Sequence, residues 1–216
     1  GGVLIVGGII VATVLLADLQ NRYVHLSLLV TIWLAGVGIA DDWLKLTASS
    51  RVPGSREGLK IWEKLLFQFG IGFLAAIFIW RLGGDNEAAR SLVLPFQRTY
   101  QPDTEALVLE PSVVVLGIWL FLPIVATLIA TTSNAVNITD GMDGLAPGLV
   151  MIASLGIMVL AYVAGSAERA HMLLFPWVDG ASELMVVAAA MAGACLGFLW
   201  FNCAPASVFM GDTGSL

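Results

Sequence analysis

Apolar residues fall in six long runs: Val3–Ala17, Val24–Ala40, Leu65–Trp80, Val113–Thr132, Leu145–Gly165 and Leu184–Phe201. None contains Asp, Glu, Lys or Arg. A bilayer-spanning helix needs about 20 apolar residues, with a range of roughly 17–25. The last three runs reach that length directly. The first three hold 15, 17 and 16 residues and reach it by borrowing flanking positions. A buried or re-entrant helix is the alternative for each. The runs are continuous rather than alternating, which argues against a membrane β-barrel. Glycines recur within them, including Gly7-Gly8, Gly36, Gly38, Gly70, Gly72, Gly193 and Gly197, and small residues let helices approach closely in lipid. The pattern predicts an all-α integral membrane protein. It is a polytopic transmembrane helix bundle of about six spans, forming one membrane domain over 1–216.

The polar segments between the runs sort by parity. If every run crosses, Asp41–Lys64, Ser133–Gly144 and the tail from Asn202 share one face. The polar motifs on that face gather five carboxylates, Asp41, Asp42, Asp140, Asp143 and Asp212, beside Glu57 and Glu63 in the basic loop. Polar groups near a bilayer are expensive, so the gathering points to a site. The ten Lys and Arg residues divide evenly, five to a face. The carboxylate face packs its five (Lys45, Arg51, Arg56, Lys60 and Lys64) into one loop around the turn Pro53-Gly54-Ser55. The other face scatters its five, and its longest segment, Arg81–Ser112, is acidic, with Asp85, Glu87, Asp103, Glu105 and Glu110. The packing leans toward the carboxylate face being cytoplasmic.

Composition narrows the picture further. Hydrophobic residues make up 58% of the 216 and charged residues 12%, against about 25% charged in soluble domains. Mean hydropathy is +0.90. These values exclude an ordinary soluble globule and a disordered chain. The net charge of −6 argues against a nucleic-acid surface. Two cysteines, Cys195 and Cys203, with two histidines make no zinc or disulfide pattern.

Three polar motifs carry chemistry. Asp41-Asp42-Trp43-Leu44-Lys45 ends the second run, and adjacent carboxylates repel unless a cation or proton lies between them. At a helix C-terminus the macrodipole also disfavours them, although a solvated helix end is the plainer reading. In the second motif, Asn134, Asn137, Asp140 and Asp143 recur every third residue, which keeps them roughly on one helical face. Such oxygen ligands suit a hard cation such as Mg²⁺. Capping of the following helix by Asp140 or Asp143 would explain one acid, not four groups in register. The third motif, Phe209-Met210-Gly211-Asp212-Thr213-Gly214, flanks an acid with glycines that let backbone approach a ligand. Carboxylates repel phosphates, so an anionic substrate would need a divalent metal between them, with basic side chains holding the rest of a diphosphate. That combination points to metal-assisted phosphoryl transfer at the membrane interface.

These motifs, with Gly197-Phe-Leu-Trp-Phe-Asn202, Pro205-Ala-Ser-Val-Phe209 and the Leu92–Phe96 stretch, resemble the polyprenyl-phosphate N-acetylhexosamine-1-phosphate transferases. The last two site motifs favour the muramoyl-pentapeptide branch of that superfamily. The resemblance implies transfer of phospho-MurNAc-pentapeptide from UDP-MurNAc-pentapeptide to undecaprenyl phosphate. The products would be lipid I and UMP, with Mg²⁺ required. It implies a multi-pass protein of the bacterial inner membrane, an active site on the cytoplasmic face, membrane lipid as surroundings, no nucleic-acid partner and a homodimer. By analogy Asn137 and Asp212 are metal ligands. Asp41 and Asp42 activate the lipid phosphate or support the metal site, and with Asp212 they form the catalytic set. Asn134, Asp140, Gly141, Met142, Asp143 and Phe209 fall near the nucleotide, with Lys45 and Asn202 in the same cleft. The family has a further helix before Gly1, and further helices with a histidine-rich loop after Leu216. The chain is therefore expected to be a fragment, inactive alone. A sister transferase using UDP-GlcNAc and a membrane transporter are the rival readings.

Overall fold

The computed structural model describes residues 1–48, 58–94, 97–101 and 107–216. Arg51, Pro53-Gly54-Ser55, Arg56, Phe96, Asp103 and Glu105 lie outside the described residues. The fold is a bundle of α-helices: α1 (Gly2–Leu16), α2 (Arg22–Ala48), α3 (Ile61–Leu82), α4 (Ile118–Thr139), α5 (Leu145–Ala164), α6 (Ala167–Met172), α7 (Leu184–Asn202) and α8 (Asp212–Ser215). Five of the described helices, α2, α3, α4, α5 and α7, are long and apolar enough to cross a membrane. The protein is an all-α polytopic membrane protein.

The first helix falls short of that length. Its 15 residues rise only about 22 Å, against a hydrocarbon core of about 30 Å. Its two ends are tied to segments flanking the two ends of α7. The Gly2 N–H donates to the Met210 carbonyl at 2.8 Å at one end. Just past the other, the Asp18 N–H donates to Glu183 at 2.8 Å. Ile5 and Ile9 of α1 pack with Ala146, Cys195, Phe198 and Met210 in the principal buried cluster.

Three helices depart from the hydropathy pattern where the site lies: α3 starts at Ile61, four residues before its apolar run, and so carries Lys64, and α2 and α4 extend past theirs. The second apolar run stops at Ala40, but α2 continues to Ala48. Asp41 and Lys45, one turn apart, form an i,i+4 ion pair at 2.7 Å that lets the helix carry charge past the end of the run. The fourth apolar run covers Val113–Thr132, whereas α4 is shifted toward the C-terminus. Val114-Val115 form a strand pairing antiparallel with Ser91-Leu92, as suits a β-branched run. At the other end, Ser133 and Asn134 remain helical because they bond into α3: Gln68 Nε2 donates to Ser133 Oγ at 3.0 Å, and Asn134 Nδ2 donates to Gln68 Oε1 at 2.6 Å.

The final turn of the chain enters the bundle between α1, α2 and α4. Gly38 permits this: a Cβ there would lie 2.3 Å from the Asp212 carbonyl oxygen. Glycine is thus required where α2 meets the chain carrying Asp212.

Candidate active site

Asp212 is where the three motifs meet. Lys45 Nζ from α2 and Lys64 Nζ from α3 reach its Oδ2 at 2.9 and 2.5 Å. Asn137 Nδ2 from α4 donates to its Oδ1 at 3.0 Å. The same two ammonium groups each stand 2.7 Å from Asp41 Oδ2. Two carboxylates and two lysines therefore form one compact quartet. Asp41 is fully buried, and its second oxygen accepts from the Leu59 N–H at 2.6 Å. Burial pushes the Asp212 carboxyl up. Hydrogen bonding with Asp41, Lys64, Lys45 and Asn137 outweighs it and holds the group well below the usual carboxylate range.

Asp42 has a different task. Its Oδ1 accepts from the Asp212 N–H at 3.1 Å, and its Oδ2 from the Thr213 N–H at 2.9 Å and the Thr213 hydroxyl at 2.5 Å. It satisfies the first free N–H groups of α8, as a capping side chain does. Gly211, with φ of +69°, supplies the left-handed residue that turns the chain into this grip.

The Asn/Asp motif divides along its length. Asn134 faces the α3–α4 network with Gln68 and Ser133, whereas Asn137 reaches the quartet and also donates to Ser215 Oγ at 2.8 Å. Asp140 ends α4. Burial raises its carboxyl, a hydrogen bond from the Gly211 backbone opposes this, and the charges of Asp212 and Asp42 add to the rise. Neither acid caps α5, whose N-cap is Gly144 with φ of +76° and no side-chain cap bond. Asp143 instead accepts from the Ala206 N–H at 3.0 Å.

Asn202 is buried, with its Oδ1 accepting from Gly144 N–H at 3.0 Å and its Nδ2 donating to the Val208 carbonyl at 2.8 Å. It ties the second motif to the third and has no group turned outward. Gly141 and Met142 lie exposed on the loop after α4, and Phe209 is 70% exposed on the segment leading to Asp212.

Lys64 is the site residue that the motifs did not single out. Its signal was weak: one of five basic residues, at the start of an apolar run. Thr213 was missed as well, since a hydroxyl beside a named acid carries no pattern of its own.

Asp212 and Asp41 offer carboxylate oxygens of the kind Mg²⁺ prefers, but among the described residues no three acidic, His or Cys side chains gather as a metal cluster, and Asn137 turns its amide nitrogen toward Asp212. Two ammonium groups already occupy the position between the carboxylates where positive charge belongs.

A family model described as glycosyl transferase family 4 matches residues 24–216. The chain belongs to that family. Full-chain alignments extend the match. It is 39% identical to the phospho-N-acetylmuramoyl-pentapeptide-transferase of Koribacter versatilis, covering 100% of this chain and 56% of that protein. The equivalent protein of Solibacter usitatus is 39% identical with the same coverage. That of Citrifermentans bemidjiense is 41% identical over 100% of this chain and 54% of its own length. The chain thus spans just over half of the curated relatives it matches.

Proposed function

We propose that the protein containing this chain transfers phospho-MurNAc-pentapeptide from UDP-MurNAc-pentapeptide to undecaprenyl phosphate, releasing UMP and forming lipid I. The observation that carries this reading is the quartet of Asp41, Asp212, Lys45 and Lys64, set at the end of a membrane bundle where a lipid phosphate and a soluble nucleotide can meet. The relatives named above carry the matching activity in their names.

In this reading an oxygen of the prenyl phosphate attacks the β-phosphorus of the nucleotide sugar. The bond from that phosphorus to the bridging oxygen breaks, and UMP departs. Lys45 and Lys64 leave their carboxylates to hold diphosphate oxygens. Asp212 and Asn137, supported by Asp41, would hold Mg²⁺, which when bound would neutralise phosphate charge and let anionic substrate approach the acids. Asp42 keeps Asp212 in place through the α8 backbone. Asp41, buried beside the lysines, is positioned to hold the proton of the attacking phosphate. Met142 and Phe209 offer exposed apolar surface for the base, and Asp140 lies close enough to Gly211 to line the same cleft.

The same proposal places the site on the cytoplasmic face of the bacterial inner membrane, in a homodimer. It also leaves the present chain inactive alone, because the relatives extend well beyond it. A transporter would place its acids along the span; Asp41 and Asp42 lie in the last two turns of α2. The experiment is turnover by the full-length protein with labelled UDP-MurNAc-pentapeptide and undecaprenyl phosphate. Mg²⁺-dependent UMP release is the expected result. Preference for UDP-GlcNAc would assign the sister activity instead.

A further inference from the structure

At the end of the bundle away from the quartet, a groove of ≈ 470 Å³ opens between the start of α2 and the end of α3. Its polar lining is Arg22, His25 and Arg81, and its apolar lining is Leu26, Leu29, Phe78 and Leu82. No acid lines it. Among the described residues neither guanidinium has a hydrogen-bond or ion-pair partner.

The placement of Arg22 is costly on its own terms. Arg22 is the first residue of α2, at the positive end of the helix dipole, where a cation is disfavoured. Asn21 Oδ1 takes the Tyr23 N–H at 2.8 Å, so the backbone there is already served. Arg81 approaches the same groove from a different helix and adds like charge. An arginine that only anchors its helix in the headgroup region has no need of a second one facing it across a cleft. A single anion between them removes both the repulsion and the dipole penalty. The apolar floor continues down α2 and α3, where Leu29 and Phe78 are exposed. A ligand matching this surface has an anionic head and hydrocarbon tails.

We propose that this groove binds the phosphodiester headgroup of an anionic phospholipid, from the leaflet at the end away from the quartet. Arg22 and Arg81 hold the phosphate oxygens, and Leu26, Leu29, Phe78 and Leu82 receive the upper acyl chains. Basic pockets between transmembrane helices hold anionic headgroups on the matrix or cytoplasmic side of membranes, and Arg22 with Arg81 offers the same chemistry at the opposite end. The site is independent of the transferase reading.

The test is native mass spectrometry of the full-length protein, titrated with phosphatidylglycerol or with phosphatidylcholine of the same chains. Wild type should retain phosphatidylglycerol in preference. The Arg22→Gln, Arg81→Gln double variant should bind it roughly 30-fold more weakly, at about the cost of two basic contacts near a lipid surface. The Arg22→Lys, Arg81→Lys variant should recover most of the binding. Millimolar inorganic phosphate should not displace the lipid. Equal retention of both lipids would reduce the groove to an apolar surface. Displacement by phosphate alone would make it a free-anion site. Unchanged binding in a double variant with wild-type melting would overturn the proposal.

Discussion

Asp42 holds Thr213 twice, through its backbone N–H at 2.9 Å and its hydroxyl at 2.5 Å, across 171 positions of sequence. This grip sets the start of α8, and with it the direction of Asp212. Replacement by Asn keeps the shape but removes the charge and sets an amide N–H against backbone donors. Asp42→Asn should cost about 2 kcal/mol of stability, in line with charged hydrogen bonds. Thr213→Val should cost about 1 kcal/mol. Thermal melts of both and of the double variant check this, and a coupling energy near zero would dissociate the pair.

Gly38 and Gly36 lie half a turn apart on α2 and should respond oppositely to alanine. A Cβ at Gly38 meets the Asp212 carbonyl at 2.3 Å, whereas nothing lies within 4 Å of one at Gly36. Gly38→Ala should therefore displace Asp212 and cut turnover by at least about tenfold, a small fraction of what misplaced catalytic geometry can cost. Gly36→Ala should be neutral or stabilising by roughly 0.5–1 kcal/mol. Turnover of the two full-length variants, measured side by side, distinguishes them.

The lysines should control the acid limb of the pH profile. Asp212 is held below its ordinary value by Asp41, Lys64, Lys45 and Asn137 despite its burial. A carboxyl depressed in the folded state stabilises the fold above its unfolded pKa, about 3.9, and that stability fades as pH falls through the folded value. The fold should thus keep this contribution well into acid. Lys64→Met removes one favourable positive charge from Asp212, so the acid limb of the free enzyme should move up by about one unit. A kcat/KM–pH profile of each protein, which reports the free enzyme in which the lysines still hold Asp212, tests it, and an unmoved limb would separate Lys64 from Asp212.

Much of the site was readable before the structure. The acids that end the second apolar run and the three-residue recurrence of Asn and Asp both survive hydropathy analysis, because charge beside an apolar helix is conspicuous. The continuation of α2 to Ala48 was not readable. Hydropathy stops at Ala40, whereas the helix is carried on by the Asp41–Lys45 pair. Lys64 was hidden for a similar reason: its role comes from α3 lying against α2, a tertiary fact without local pattern. Asn202 shows the converse. Its motif is legible, but not that both ends of its amide bond the backbone of Gly144 and Val208.

Phe209 should affect the nucleotide and little else. It is 70% exposed, so Phe209→Ala should leave the melting temperature unchanged. Base–aromatic stacking is worth about 1–3 kcal/mol, so KM for the UDP-sugar should rise roughly 5- to 150-fold. KM for undecaprenyl phosphate should hardly move, and Phe209→Trp should be milder. A fall in stability with unchanged KM would make the ring structural.

The central claim is that the three motifs build one metal-dependent site around Asp212. The measurement that tests it most directly is the Mg²⁺ dependence of UMP release by full-length Asp212→Asn, with UDP-MurNAc-pentapeptide and undecaprenyl phosphate as substrates. The account predicts a folded variant that melts somewhat lower, having lost the two ion pairs of Asp212, and at least about a hundredfold loss of turnover, the scale seen when one preorganised charge contact is removed. Turnover near wild type at low Mg²⁺ would contradict it.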